Sequence, residues 1–413
     1  MANTNFKINN VDLASLYVPK EYVMDRYAEL PDVLKAPTLW AWGSNGNGEV
    51  GDNTFFTRNS PVQTVAYGAD WKQVAASGGH VAAIKTDGTL WLWGSNGAGQ
   101  LGTNNTTSRS SPIQTVAGGT NWKQVSCGGG HTAAIKTDGT LWLWGNNNNS
   151  IFSGALGDGT TTDRSSPVQT VSGGTNWKQV SCGGGFTGAI KTDGTLWTWG
   201  SGWSGQLGDG TVGTSSRSSP IQTISGGTNW KQVACGSSSM AAIKNDGTLW
   251  AWGAGNYGAL ARTDLSESGS PAQTVAGGNN WKQVSGGYFG FSAIKTDGTL
   301  WMWGENSQGQ LGTNDVVPRS SPVQTVAGGN NWYSIVCRMS AAAIKTDGTM
   351  WAWGFGAYGA LGQGASYSSR SSPIQIANGG SNWKDVGVTD LGTGGGTVIA
   401  IRDLSSDMYG DSL

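Results

Sequence analysis

The chain has 413 residues, of which 68 are glycine and 22 tryptophan, and only 12% are charged, about half the usual share. A net charge of −1 excludes a strongly basic surface for nucleic acid, and the tryptophans exclude a wholly disordered, low-complexity chain. No run of about 20 apolar residues is present to insert into a membrane as a helix.

Residues 1–36 stand apart as an N-terminal arm. Residues 1–20 lack a basic start followed by an apolar core, so no secretory signal is expected. After Pro19, Glu21–Leu30 predicts a short helix with Tyr22, Val23, Tyr27 and Leu30 on roughly one side. The arm is expected to attach the protein, packing on its own chain or docking on a neighbouring subunit of an assembly, with Tyr22 and Tyr27 as contact residues. Residues 38–42 then open a ruler that runs along the chain. Trp-x-Trp-Gly recurs with its second tryptophan at Trp42, Trp93, Trp144, Trp199, Trp252, Trp303 and Trp353. The steps of 50 to 55 residues signal repeated structural units. The first tryptophan of each pair makes a second series, Trp40 to Trp351. A third, Trp71 to Trp383, precedes Lys-Gln-Val or a near variant. Only Trp203 lies outside the ruler. Lys72, Arg58 and their equivalents recur nearly once per repeat, which points to structural or solvated charges.

Residues 122–170 show what one repeat builds. Lys123–Cys127, Thr132–Lys136, Leu141–Trp144 and Pro167–Thr170 each read as a strand bounded by glycine or polar residues. Asp138-Gly139 marks a tight hairpin, because glycine tolerates the positive φ such turns need. One repeat is therefore an antiparallel meander of four strands, a to d. Leu141 and Leu143 face one side of strand c, Trp142 and Trp144 the other. With both faces apolar, each sheet must be covered on both sides. Seven such sheets covering one another make an all-β, seven-bladed β-propeller over residues 37–402, followed by an acidic tail, 403–413. The last b strand, Val398–Ile401, has no c strand after it; the missing one is Thr38–Trp42. Strands a and b of the closing blade are expected from the C-terminus, c and d from the N-terminus, which closes the ring and removes open edges.

Little catalytic material is present. His80 and His131 are the two histidines. They share a repeat position that takes Phe186 in the next repeat, so packing accounts for them, and Ser-His-Asp or His-rich metal sites lack material. Cys127, Cys182, Cys235 and Cys337 each lie five residues after a third-series tryptophan, where Ala76, Gly286 and Val388 stand in other repeats. Interchange with small residues predicts buried free thiols on inner strands near the axis, and no close cysteine pair suggests zinc. Gly46-x-Gly48-x-x-Gly51 and Gly97-x-Gly99-x-x-Gly102 imitate a dinucleotide loop, but a polar loop and Ser-Pro follow where that motif needs a helix. No enzyme activity, cofactor or metal is expected.

Strands alternate direction, so the a–b and c–d loops share one face of the disc and the b–c and d–a loops the other. The second face repeats Thr-Asp-Gly turns and Gly-Gly-Thr-Asn segments. The first carries nearly all departures: Phe55, Phe56, Ile151, Phe152, Trp203, Tyr257, Phe355 and Tyr358 in c–d loops, and Tyr288, Phe289, Phe291 and Arg338 around a–b loops. Exposed aromatics serve as binding anchors. Trp203, Tyr288, Phe289, Phe152, Tyr257 and Tyr358 are therefore the partner-binding candidates on this face, Trp203 foremost.

The run Gly130 to Gly145, Gly-His-Thr-Ala-Ala-Ile-Lys-Thr-Asp-Gly-Thr-Leu-Trp-Leu-Trp-Gly, resembles the regulator of chromosome condensation repeat, as does Gly99-Gln100-Leu101-Gly102 in the following loop. The resemblance spans roughly residues 37–402 and implies a seven-bladed propeller. In that family a eukaryotic chromatin protein exchanges nucleotide on a small GTPase and binds nucleosomes, but no residue for either activity carries over. Plant ultraviolet receptors of the family use clustered tryptophans as chromophores; here the repeated tryptophans sit on strand positions where core packing suffices. Thr-Asp-Gly-Thr-Leu-Trp and Arg-Ser-Ser-Pro look like the bacterial and bacteriophage branch, and Phe6–Leu13 resembles the start of tailed-phage virion proteins. This implies a non-enzymatic structural protein of a virion (tail, fibre, baseplate or capsid decoration), assembled in the host cytoplasm. Its partners would be other virion proteins or a host-surface receptor. The alternative is a bacterial propeller that binds a protein or glycan.

Overall fold

The structure, a computed structural model, describes residues 37–65, 70–149, 152–213, 216–364, 367–377, 380–389 and 396–403, with the backbone of 7–8 and 11–12. Seven four-stranded antiparallel sheets succeed one another, each ordered a-b-c-d. In the second blade the strands are Trp122–Cys127, His131–Lys136, Leu141–Gly145 and Arg164–Gln169. Strand d thus begins earlier than the sequence suggests. Arg164 pairs with Gly145 across a bulge after Leu143, and Pro167 is tolerated because d is an edge strand whose outer N–H groups need no partner. Blade numbers below start from the blade of Trp71.

The seventh blade closes the ring as expected. It takes Trp383–Val388 and Thr397–Arg402 from the C-terminal side and Thr38–Gly43 and Arg58–Gln63 from the N-terminal side. The seam between the two ends is a continuous ladder from Thr38↔Arg402 to Gly43↔Thr397. The predicted helix 21–30 with Tyr22 and Tyr27, and all of the tail after Asp403, lie outside the described residues. Within the arm, Lys7–Ile8 pairs antiparallel with Val11–Asp12.

The core lies between blades. Ala133, Ile135, Leu141 and Leu143 of blade 2 pack against Trp177, Val180, Cys182, Ala189 and Trp199 of blade 3, and equivalent clusters fill the other seams. The three tryptophan series have three jobs, each set by where the indole N–H finds an acceptor. The second-series indoles are fully buried and donate into the c–d loop of the preceding blade. Trp144 donates to Gln100 O at 2.8 Å, Trp199 to Ala155 O at 2.8 Å, and Trp42 to Ala360 O at 3.1 Å. They therefore stitch neighbouring blades together. Third-series indoles such as Trp122 donate to the carbonyl four residues back. First-series indoles donate to a threonine hydroxyl, as Trp142 does to Thr140 Oγ1 at 2.9 Å.

That threonine donates in turn to the turn aspartate, Thr140 Oγ1 to Asp138 Oδ1 at 2.7 Å. These bonds hold the Asp138 carboxyl below its ordinary range. Thr140→Val keeps the shape and removes the bridging hydroxyl. It is expected to cost about 1 kcal/mol, read as a shift of the denaturation midpoint with an unchanged slope. The lysine that ends each strand b is also structural: the Lys136 ammonium lies 4.8 Å from the Trp122 ring centre and 4.9 Å from that of Trp142, a paired cation–π contact. It recurs in six blades, and Arg402 lies over Trp383 in the seventh.

Strands a line the axis. Gln73 Nε2 donates to Val125 O at 3.0 Å while its Oε1 accepts from Val125 N at 3.2 Å. Gln124, Gln179 and Gln232 clamp Val180, Val233 and Val284 in the same way. In the closing blade this place is Asp385, whose carboxylate accepts from Val74 N at 3.0 Å.

Candidate partner-binding face

Each c–d loop is a polar excursion held from within. Asn96 Oδ1 accepts from Leu101 N at 2.9 Å, and its Nδ2 donates to Asn105 O and Thr107 O at 3.0 and 3.1 Å. Asn45, Asn147 and Asn306 do the same in their loops. The Arg of strand d leashes several of these loops to an aspartate: Arg58 to Asp52, Arg164 to Asp158, Arg217 to Asp209 and Arg319 to Asp315, at 2.5 to 3.0 Å. In blade 4, where Ser268 replaces that arginine, Arg262 bonds Ser268 Oγ and pairs with Asp264.

Three loops lack the central asparagine and have Gly202, Gly255 or Gly356 instead. These three present Trp203, Tyr257 and Tyr358, which are 60%, 48% and 46% exposed. Tyr257 and Tyr358 both adopt φ +57°, a left-handed backbone uncommon for bulky side chains. The exchange of Asn for Gly was the sequence signal for these loops. Phe55 and Phe56 are exposed as well.

Of the residues singled out from the sequence, the fold gathers three. Tyr257 of blade 4 meets Phe289 of the blade 5 a–b loop at 5.5 Å between ring centres, and Phe289 meets Tyr288 at 4.5 Å. Trp203 and Tyr358 make no ring contact with this cluster among the described residues. Phe152 belongs to a two-residue ladder, pairing with Asn149, and its side chain lies outside the described residues, as do Ile151, Tyr22 and Tyr27. Phe291 is corrected: it is the second residue of strand b, buried, and stacked at 5.9 Å on Trp303. A second correction concerns the opposite face. Val116, Val171, Ile224, Val275 and Val326, at the start of the d–a connections, are 50% to 57% exposed, so exposed apolar surface is not confined to the loop face. Their regular recurrence gives a ring without a distinguishing spot, whereas the loop face has a clustered one.

A channel of about 190 Å³ runs along the axis between strands a. Cys127, Cys182, Cys235 and Cys337 line it as free thiols, and burial pushes their pKa up, that of Cys235 to about 12. They are protonated and poor nucleophiles. His80 and His131 are buried beside it and pushed down to about 3 and 4, chiefly by desolvation. Each Nε2 is within hydrogen-bond distance of a threonine of the next blade, Thr132 at 2.9 Å or Thr187 at 3.0 Å. Among the described residues no group of three or more His, Cys, Asp or Glu is placed to hold a metal, and no helix is long and apolar enough to cross a membrane.

Comparison with known families matches residues 38–400 to the RCC1-like domain. The chain belongs to the RCC1-like domain family. An RCC1-like relative, the ultraviolet-B receptor UVR8 of Arabidopsis thaliana, is 32% identical over 299 residues, covering 71% of this chain and 66% of the receptor. The chain thus spans just under two thirds of that relative's length. The crystal structure of human WBSCR16 superposes with a TM-score of 0.74 at 21% identity, covering 89% of this chain and 99% of that one. Prp20p of Saccharomyces cerevisiae, described with its binding to Gsp1p and histones, superposes with a TM-score of 0.74 at 20% identity over 91% and 94% of the two chains. At these identities the structures establish the RCC1-like fold.

Proposed function

We propose that the chain is a non-enzymatic interaction protein that binds a macromolecular partner with the face formed by the a–b and c–d loops. The observation that carries this reading is the Tyr257–Phe289–Tyr288 cluster together with the lone, largely exposed Trp203, all on loops of one face of an otherwise regular disc. Exposed tyrosine and tryptophan supply large contact areas at small entropic cost. Protein binding by Prp20p supports a protein partner.

Trp203→Ala and Tyr288→Ala are expected to weaken capture of the partner at least about tenfold, a loss of about 1.4 kcal/mol, with the melting temperature unchanged. An equal loss of stability and binding would make them core residues and overturn the reading. Binding to a glycan array, lost in Trp203→Ala, would replace the protein partner by a carbohydrate.

The finer reading we propose is a component of a tailed-phage particle, attached through residues 1–36 and meeting another virion protein or a host surface. It is supported by the resemblance of Phe6–Leu13 to virion proteins. Mass spectrometry of purified particles tests it, and absence of the chain from them overturns it.

A further inference from the structure

Arg338 follows strand a of blade 6, Trp332–Cys337, at the lip of the axial channel. Its backbone N–H donates to Ser340 O at 2.8 Å. The same lip position is Gly128, Gly183, Gly236 and Gly287 in blades 2 to 5, and Ser77 and Thr389 in blades 1 and 7. Among the described residues Arg338 is therefore the one charged side chain that lines the channel. Its charge is felt at Cys127, Cys235 and Cys337, where it opposes the upward push of burial, so the guanidinium acts across the channel as well as at its own blade.

The guanidinium is half-buried and makes no hydrogen bond or ion pair among the described residues. Elsewhere on this face most arginines are given a carboxylate by their own loops, as with Arg58–Asp52 and Arg164–Asp158. A half-buried cation without a partner is costly to maintain for packing alone, and a guanidinium is built to take a carboxylate through two parallel bonds. A small side cavity joins Arg338 to Phe289 and Glu305. Glu305 forms no ion pair with Arg338, and its Oε1 accepts from Ser307 Oγ at 2.9 Å. Phe289 in turn carries the Tyr257 and Tyr288 rings. Cation and aromatic patch are thus contiguous, and the channel behind the cation has valine and thiol walls with room for a short side chain.

We propose that the channel mouth is a carboxylate-binding site, in which Arg338 takes an acidic side chain of a partner protein while the Tyr257–Phe289–Tyr288 patch takes an apolar residue beside it. This rests on the reading of the loop face as the partner-binding face and names the chemistry it recognises. The apolar walls favour a carboxylate on a short aliphatic stem over a phosphate, which needs more donors than one guanidinium provides.

The test is fluorescence anisotropy on the full chain with three labelled peptides: amidated Gly-Ser-Phe-Glu-Ser-Gly, its Gln counterpart, and Gly-Ser-Gly-Ser-Phe with a free carboxyl terminus. The Glu peptide is expected to bind, and binding is expected to weaken as salt rises. A loss of at least about tenfold is expected both for the Gln peptide and for the Glu peptide on Arg338→Gln. Arg338→Lys should keep part of the affinity, because it keeps the charge and loses the fork. Unchanged affinity in Arg338→Gln, or no binding of any peptide at millimolar concentration, overturns the site. Tighter binding of the free-terminus peptide overturns the acidic side chain as the source of the carboxylate. If Trp203→Ala loses the partner while Arg338→Gln keeps the Glu peptide, the loop face stands and this site falls.

Discussion

Deleting residues 383–413 is expected to abolish cooperative unfolding of the propeller. The deletion removes strands a and b of the closing blade and leaves Thr38–Gly43 without the ladder that runs from Arg402 to Thr397. Trp42 loses the Trp383 ring, 6.0 Å away and edge-on. Val386, Val388, Val398, Ile399, Ala400 and Ile401, all buried, disappear from the seams with blades 1 and 6. At roughly 1.5–3 kcal/mol for each large buried side chain, the loss reaches the whole stability of an ordinary domain, about 5–15 kcal/mol. The exposed strand edges that remain would favour aggregation. Calorimetry is the measurement. A truncated chain that melts in one sharp transition at the temperature of the full one would show that the ring does not depend on its clasp.

Asp385→Asn is expected to stabilise the protein at neutral pH. Four blades use a glutamine amide to satisfy both the N–H and the carbonyl of the next inner strand, and blade 7 offers a carboxylate that can only accept. Burial raises the Asp385 pKa from its ordinary value near 3.8 to about 6, outweighing the N–H groups of Val74 and Val386 that it accepts from. In this window the folded state holds a proton that the unfolded state has lost. The Asp385 contribution to stability therefore rises as pH falls from about 6 towards 4 and is flat above 6. The charged form costs roughly 3 kcal/mol at pH 7. The substituted amide keeps an oxygen for Val74 N–H and removes the charge, so the variant should melt higher at pH 7, and its advantage over the wild type should shrink as pH falls from about 6 towards 4. The turn aspartates Asp87, Asp138, Asp193, Asp246, Asp297 and Asp347 act in the other sense: their depressed pKa values mean their support is present above the ordinary carboxylate range and is lost as pH falls through it. His80 and His131, held neutral by burial and pushed down to about 3 and 4, also lose stability on acidification and together outweigh the Asp385 gain, so wild-type stability is expected to be greatest above about pH 6.5. Identical pH profiles for wild type and Asp385→Asn would remove Asp385 from this account.

The sequence by itself determined the blade count, the four-stranded meander and the clasp. These follow from local rules met seven times: apolar alternation along strands, Asp-Gly at hairpins, tryptophans at a fixed period, and a missing strand at one end matched by a surplus at the other. The positions of Trp203, Tyr257 and Tyr358 on exposed loops were also legible, because they break the repeat. Tertiary structure alone decided what those loops touch. Phe291 stands two residues from Phe289 in sequence, yet one stacks in the core on Trp303 and the other, half-buried, lies in the loop cluster with Tyr257, since strand b begins between them. Tyr257 and Phe289 meet only because adjacent blades bring a c–d loop over an a–b loop. The role of Lys136 and its equivalents is likewise decided by the fold, which places two indoles of the same blade around each ammonium. Arg338 is one arginine among many in the sequence. Its isolation is a property of the axis: among the described residues that line the channel it is the one that carries a charge.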